Sequence, residues 1–337
     1  MKNYFGLTPK GESAYLYTIS RGPMKAVLSD FGATLVRLFV PDNKGISEDV
    51  VLGFDSPAAY AASDTYFGAT VGRNANRING AAIVVGAKTY ALNTNDGVNN
   101  LHSGPDGFER RLWQVVLHEE DRICFALHSP HLDQGFPGNA DIRVTYRLTC
   151  DTLEISYEAT ADRDTVFNMT NHSYFNLAGH LHPQKAMQQL LSMPARFFTP
   201  ANSESIPTGE CRPVAGTPMD FRLPKALGRD IMENYEPLKL QKGYDHNFEV
   251  FCNPCAFLSD TDSGRSMAVY TDCPGVQLYT ANYTDTIGKD GAVYAPRSGV
   301  CLETQFFPDS IHNPQWKQPI TKAGKKYRSK TSYRFSW

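Results

Sequence analysis

The 337-residue sequence predicts an all-β protein, a large antiparallel β-sandwich with few short helices, and three observations carry that reading. Short runs of apolar, β-branched and aromatic residues recur along the chain, bounded by Gly, Pro, Asn or Asp. Helical periodicity is nearly absent. No fixed-period repeat, linker or shift of composition divides residues 1–337, so a single domain is expected.

Taken in order, residues 24–29 and 33–40 read as two strands around Asp30-Phe31-Gly32, closed by Pro41-Asp42-Asn43. Residues 50–54 read as a short buried strand. Ser56-Pro57 opens a helical turn or two, with Ser56 as N-cap and Pro57 at the first position. Residues 83–92 are hairpin-like around Gly86. Residues 113–117 and 123–127 flank the charged turn Glu119-Glu120-Asp121-Arg122, and residues 142–148 and 153–158 flank Cys150-Asp151. Residues 179–224 form a long Pro-, Gly- and Ser-rich region. Strands at 247–251, 267–271, 276–282 and 300–307 complete the series.

The stretch Asn168-Met169-Thr170-Asn171-His172-Ser173-Tyr174-Phe175-Asn176-Leu177 stands apart. Read as one strand, it places Asn168, Thr170, His172, Tyr174 and Asn176 on one face, because successive side chains alternate. That face carries hydrogen-bonding groups and no Lys, Glu or Arg, which suits the wall of a polar cleft with His172 at its centre. A core histidine satisfied by its neighbours fits the same pattern.

Composition narrows the function. Hydrophobic content of 41% with 20% charged residues is that of a globular chain. A net charge of −2 gives no reason to expect nucleic acid or an anionic membrane as partner. No run is long enough for a membrane span, and the start Met1-Lys2-Asn3-Tyr4-Phe5-Gly6 has no apolar leader, so a cytoplasmic location is expected. Seven scattered cysteines argue against a disulfide framework. Cys252-Asn253-Pro254-Cys255 lacks the second pair of a zinc ribbon, and His180-Leu181-His182 and His128-Ser129-Pro130-His131 are weak pairs. There is no phosphate loop, dinucleotide fingerprint or nucleophile elbow. Cofactor-free acid–base chemistry, or binding alone, is what remains.

Five motifs carry polar chemistry. Gly72-Arg73-Asn74-Ala75-Asn76-Arg77-Ile78-Asn79-Gly80 crowds two arginines and three asparagines, groups suited to vicinal hydroxyls and equally to a solvated turn. His102 lies in the loop Asn100-Leu101-His102-Ser103-Gly104-Pro105. His172 centres the stretch described above. Gly243-Tyr244-Asp245-His246 sets a carboxylate beside an imidazole. In Cys301-Leu302-Glu303-Thr304-Gln305, a lone carboxylate sits in an otherwise uncharged strand and is a candidate general base.

The ordered set of these motifs, with Gln134-Gly135-Phe136-Pro137-Gly138 and Pro308-Asp309-Ser310, resembles the aldose 1-epimerases, or galactose mutarotases, from about residue 24 to the C-terminus. The resemblance implies a mutarotase-like supersandwich with an open sugar cleft, and interconversion of the α- and β-anomers of hexoses such as galactose and glucose. It implies Glu303 as general base, His172 as general acid and His102 as an aid near the ring oxygen. Asn76, Arg77, His102, Tyr174, Asp245 and Gln277 are implied to bind the sugar, with no metal or cofactor. Ser103 stands where the family usually has Gly. A monomer and a homodimer both remain open, as do a sugar-binding module without catalysis and an epimerase of a phosphorylated hexose. Mutual attraction is expected to lower the Glu303 pKa and raise that of His172.

Overall fold

A computed structural model describes all 337 residues, Met1–Trp337. Three antiparallel sheets dominate it. The largest has nine strands, in the order Gln114–His118, Arg122–Ser129, Ala140–Leu148, Thr152–Ala161, Lys326–Ser336, Ser266–Thr271, Ala256–Ser259, Leu190–Ser192 and Lys225–Ala226. A six-stranded sheet runs Tyr174–Phe175, Val300–Gln305, Gly275–Tyr279, Asp245–Glu249, Phe197–Thr199 and Arg212–Pro213. A five-stranded meander uses the first 49 residues, from Lys2–Leu7 to Ser47–Asp49.

Strand alternation builds the core. In Thr152–Ala161 every second residue is buried, from Leu153 to Ala161. One cluster of 53 buried hydrophobic residues, reaching from Tyr17 to Phe335, joins the three sheets. Tyr333 on the nine-stranded sheet packs its ring 4.9 Å from that of Phe175 and donates its hydroxyl to the Leu302 carbonyl, so the large sheet braces the back of the six-stranded one.

The expected hairpins form: Gln114–His118 pairs with Arg122–Ser129, Ala140–Leu148 with Thr152–Ala161, and Ala82–Val85 with Lys88–Ala91. The helix Pro57–Ala62 is capped as expected, the Ser56 hydroxyl accepting from the Ala59 amide. Residues 50–54 are not the strand expected: they make only a bridge, Val51 to Phe175, while the edge strand is Ser47–Asp49. The region 179–224 carries only the short strands Leu190–Ser192, Phe197–Thr199 and Arg212–Pro213. The sequence reading also passed over Lys326–Ser336, the longest strand, which lies in the middle of the nine-stranded sheet. Its inward residues include Ser329 and Thr331 beside Tyr327, Tyr333 and Phe335, so its apolar signal is diluted.

The stretch 168–177 is not one strand. Thr170–Asn171 pairs with Thr70–Val71, and Tyr174–Phe175 pairs with Val300–Gln305 in a different sheet. The break falls at His172 and Ser173, where Asn171 turns inward. Its side-chain amide donates to the Gly68 carbonyl and the Tyr146 hydroxyl, and its oxygen accepts from Ser173.

Candidate active site

The site grows from one face of the six-stranded sheet. Gln277 lies opposite Glu303, and Tyr279 opposite both Cys301 and Asp245. Tyr174 pairs with Cys301 from the other side. Alternation therefore brings Cys301, Glu303, Gln277, Tyr279, Asp245 and Tyr174 to a common surface.

Three loops close over this face. The first holds His172: its amide donates to the Ala69 carbonyl, and its carbonyl accepts from the Gly68 amide. Gly68 has φ +64, and a Cβ there would lie 2.1 Å from the Leu35 carbonyl oxygen, so only glycine fits. The second carries Asn76 and Arg77, the third His102. They are tied by the pairing of Arg77 with Leu101, by the His102 amide donating to the Asn76 carbonyl, and by the Asn76 amide donating to His102 Nδ1 at 3.0 Å. Ser103, in the left-handed region at φ +78, accepts from the Asn74 amide and donates to the Asn74 carbonyl. It staples the two loops together rather than disturbing them.

These elements enclose a cavity of about 170 Å³ lined by Asn76, Arg77, His102, His172, Tyr174, Asp245 and Glu303, together with Asp64, Tyr66, Leu101, Tyr279 and Tyr283. Seven of the eight site residues named from sequence thus meet in one place. The eighth, Gln277, stands behind: its amide donates to Asp245 Oδ1 at 2.7 Å and orients that carboxylate. A larger groove, about 730 Å³ around Lys225 and Asp230, lacks such convergence, because those two side chains pair with each other at 2.6 Å.

Other candidates are placed elsewhere. Arg73 is buried, and its guanidinium donates to the carbonyls of Ser129, Pro130, Pro137 and Gly138 and to the Ser129 hydroxyl. It holds the loop and does not reach the cleft. Asn168 and Asn176 are likewise consumed by backbone contacts at Ala75, Phe306, Ala178 and His182. His246 alternates away from Asp245, and its ring packs edge-on against Phe198. Sequence reasoning missed Tyr66, Tyr279 and Cys301. The last two share the period-two face of Glu303 and were findable; Tyr66, in a turn at φ +57, left no signal.

At the cavity floor, His172 Nε2 lies 3.6 Å from Glu303 Oε1. The imidazole is flanked by two nearly parallel rings, Tyr174 at 5.1 Å and Tyr66 at 5.7 Å, while His102 and Tyr279 meet it edge-on. His172 and Glu303 are only 5% and 2% exposed, and that burial decides their electrostatics. Burial, then the Asp245 charge, push the Glu303 carboxyl well up, against the opposing pull of Arg77. Burial pulls His172 down to about 4. Burial, then His172 and Arg77, pull His102 well down. Burial raises Asp245, opposed by Arg77 and Gln277. The mutual attraction expected from sequence is overridden, because desolvation of two charges outweighs one contact at 3.6 Å. Both shifts favour the uncharged forms, a protonated carboxyl beside a neutral imidazole.

Donor atoms of His102, His172 and Glu303 lie within 4.8 Å of one another, close enough to be tested as a metal set. The hydrogen bond from the Asn76 amide occupies the lone pair of His102 Nδ1 and leaves the proton on Nε2. A ligating nitrogen needs a free lone pair, so the trio is better fitted to hydrogen bonding and proton transfer than to a cation.

The family model for aldose 1-epimerase matches residues 15–334. The chain is 37% identical to galactose mutarotase of Sus scrofa over 99% of its own length and 98% of that protein. It is 37% identical to the aldose 1-epimerase of Haemophilus influenzae, over 97% of each. A crystal structure of an aldose epimerase homologue from C. elegans superposes with a TM-score of 0.88 at 30% identity, covering 96% of this chain and 99% of that one. On these grounds the chain belongs to the aldose 1-epimerase family of enzymes.

Proposed function

We propose that the protein interconverts the α- and β-anomers of hexoses such as galactose and glucose, with Glu303 and His172 as the proton-transfer pair. The observation that carries this reading is their 3.6 Å approach on the floor of a hydroxyl-lined cleft. Sugar hydroxyls entering the cleft supply hydrogen bonds to a Glu303 carboxylate whose Oε2 has no partner within the protein. The proton on Glu303 passes to His172 without any change in total charge. Glu303 then takes the proton of the C1 hydroxyl, His172 delivers its proton to the ring oxygen, and the C1–O5 bond breaks. The free aldehyde turns about C1–C2 and recloses on its other face with the proton movements reversed. His102, neutral with its proton on Nε2, is a fixed donor close to the ring oxygen. Asn76, Arg77, Asp245 and Tyr174 hold the remaining hydroxyls, and Gln277 aligns Asp245.

Arg77 is the one Lys or Arg in the cavity, and its Nε is bound to Asp96 at 2.7 Å. With Asp64 and Asp245 around it, a phosphorylated hexose is disfavoured. Seven free cysteines support a cytoplasmic setting. The test is polarimetry or NMR on freshly dissolved α-galactose and α-glucose. Catalysed relaxation to the anomeric equilibrium is expected. Saturable galactose binding with no acceleration would leave a binding protein instead.

A further inference from the structure

The two histidines of the cleft differ in what their Nδ1 atoms face. His102 Nδ1 accepts from the Asn76 backbone N–H at 3.0 Å. A backbone amide only donates, so a second proton on His102 would set two N–H groups against each other. His172 Nδ1 instead faces the Cys301 thiol, with Sγ at 3.6 Å. A thiol both donates and accepts. Beside neutral His172 the sulfur accepts from Nδ1–H, which leaves the lone pair on Nε2, the nitrogen that faces Glu303 and takes its proton. When Nε2 gains that proton, Nδ1–H keeps its sulfur acceptor.

We propose that Cys301 is a positioning residue for the reaction, its sulfur accepting from His172 Nδ1–H and so making His172, rather than His102, the histidine that cycles its proton. This rests on the acid–base reading given above. Three further features fit. Cys301 is completely buried on the strand that carries Glu303, two residues away and on the same face. Burial, then the charges of Glu303 and Asp245, push its pKa well up, so it stays a thiol. Tyr66 and Tyr174 hold the ring plane, which fixes where Nδ1 points.

The experiment combines substitution with a direct view of the ring. Cys301→Ser keeps an acceptor, while Cys301→Val fills the space without one and Cys301→Ala removes it. On galactose, Cys301→Ser is expected to hold kcat within about threefold. Cys301→Val and Cys301→Ala are expected to lose about tenfold or more in kcat, with KM within about twofold and a displaced acidic limb in the pH profile. Glu303, His102, Tyr66, Tyr174 and Tyr279 face His172 in every variant, with Asp245 and Arg77 across the cleft, so only the Nδ1 partner changes. Imidazole ¹⁵N shifts of the unsubstituted protein should show neutral His172 protonated on Nδ1 and unprotonated on Nε2. Full kcat in Cys301→Val, an equal loss in Cys301→Ser and Cys301→Val, or an Nε2-protonated neutral His172 would each overturn the proposal. The ¹⁵N measurement needs no turnover. A protein that fails to anomerise any hexose yet shows the expected tautomer would sink the assigned activity, not the hydrogen bond.

Discussion

His172 Nε2 and Glu303 Oε1 stand 3.6 Å apart with neither side chain open to bulk water. In solution such a pair would share charge as imidazolium and carboxylate. In this cleft the loss of solvation pushes Glu303 up and His172 down, which favours one proton on each group. The total charge is the same either way, so the enzyme can rest neutral and react as an ion pair once sugar hydroxyls replace the missing solvent.

Those shifts set the pH dependence. The productive state has the pair jointly neutral, and it is lost on the acid side when His172 gains a proton and on the alkaline side when Glu303 loses one. Profiles of kcat/KM should therefore fall on the acid side near pH 4, where His172 titrates, and on the alkaline side well above the ordinary carboxylate range. An acidic limb that survives unchanged in His172→Gln would assign it to another group.

Glu303→Gln retains size and hydrogen bonding but cannot accept the C1 proton, and His172→Gln cannot cycle one. Each variant should fold, bind galactose and lose about 10²-fold or more in kcat. The double variant should lose less than the product of the two, because both groups serve one proton-transfer event. Near-normal kcat in folded Glu303→Gln would point to a different base.

Arg77 and Asp245 sit on the cavity wall and are held from behind by Asp96 and Gln277. In the proposed reaction their hydrogen bonds to the sugar persist through ring opening, so Arg77→Ala and Asp245→Ala should raise KM about tenfold or more while changing kcat less. Steady-state kinetics on galactose decides this; an unchanged KM in both removes them from the sugar site.

Removal of metal should change nothing. Exhaustive dialysis against EDTA is expected to leave kcat within about twofold, since the donor set is committed to protons. Loss of activity restored by zinc would reverse that assignment.

Arg73 belongs to stability. Arg73→Ala strands several buried carbonyls that the guanidinium now satisfies. Equilibrium urea unfolding should show a loss of about 3 kcal/mol or more. Where the variant remains folded, KM for galactose should stay closer to that of the parent than in Arg77→Ala. If Arg73→Ala unfolds like the parent, the loop is held by something else.

Much of this protein was written locally. Alternation marks the paired strands around Glu119–Arg122 and Cys150-Asp151, Ser56-Pro57 marks its helix, and a lone glutamate in an uncharged strand marks Glu303. The ordered motifs identified the family and seven residues that share one cavity. What sequence could not decide is which of several chemically equal groups faces that cavity. Arg73 and Arg77 sit four residues apart, yet one is spent on backbone carbonyls and the other reaches the cleft, because the loop turns between them at Asn76, φ +64. His172 lies at a break between two sheets rather than within a strand, so period-two counting put Asn168 and Asn176 on a wall they do not line. The charge state of the acid–base pair was also beyond reach. It depends on how completely the sheets and loops exclude water from two side chains 131 positions apart, a property of the assembled fold and of no segment alone.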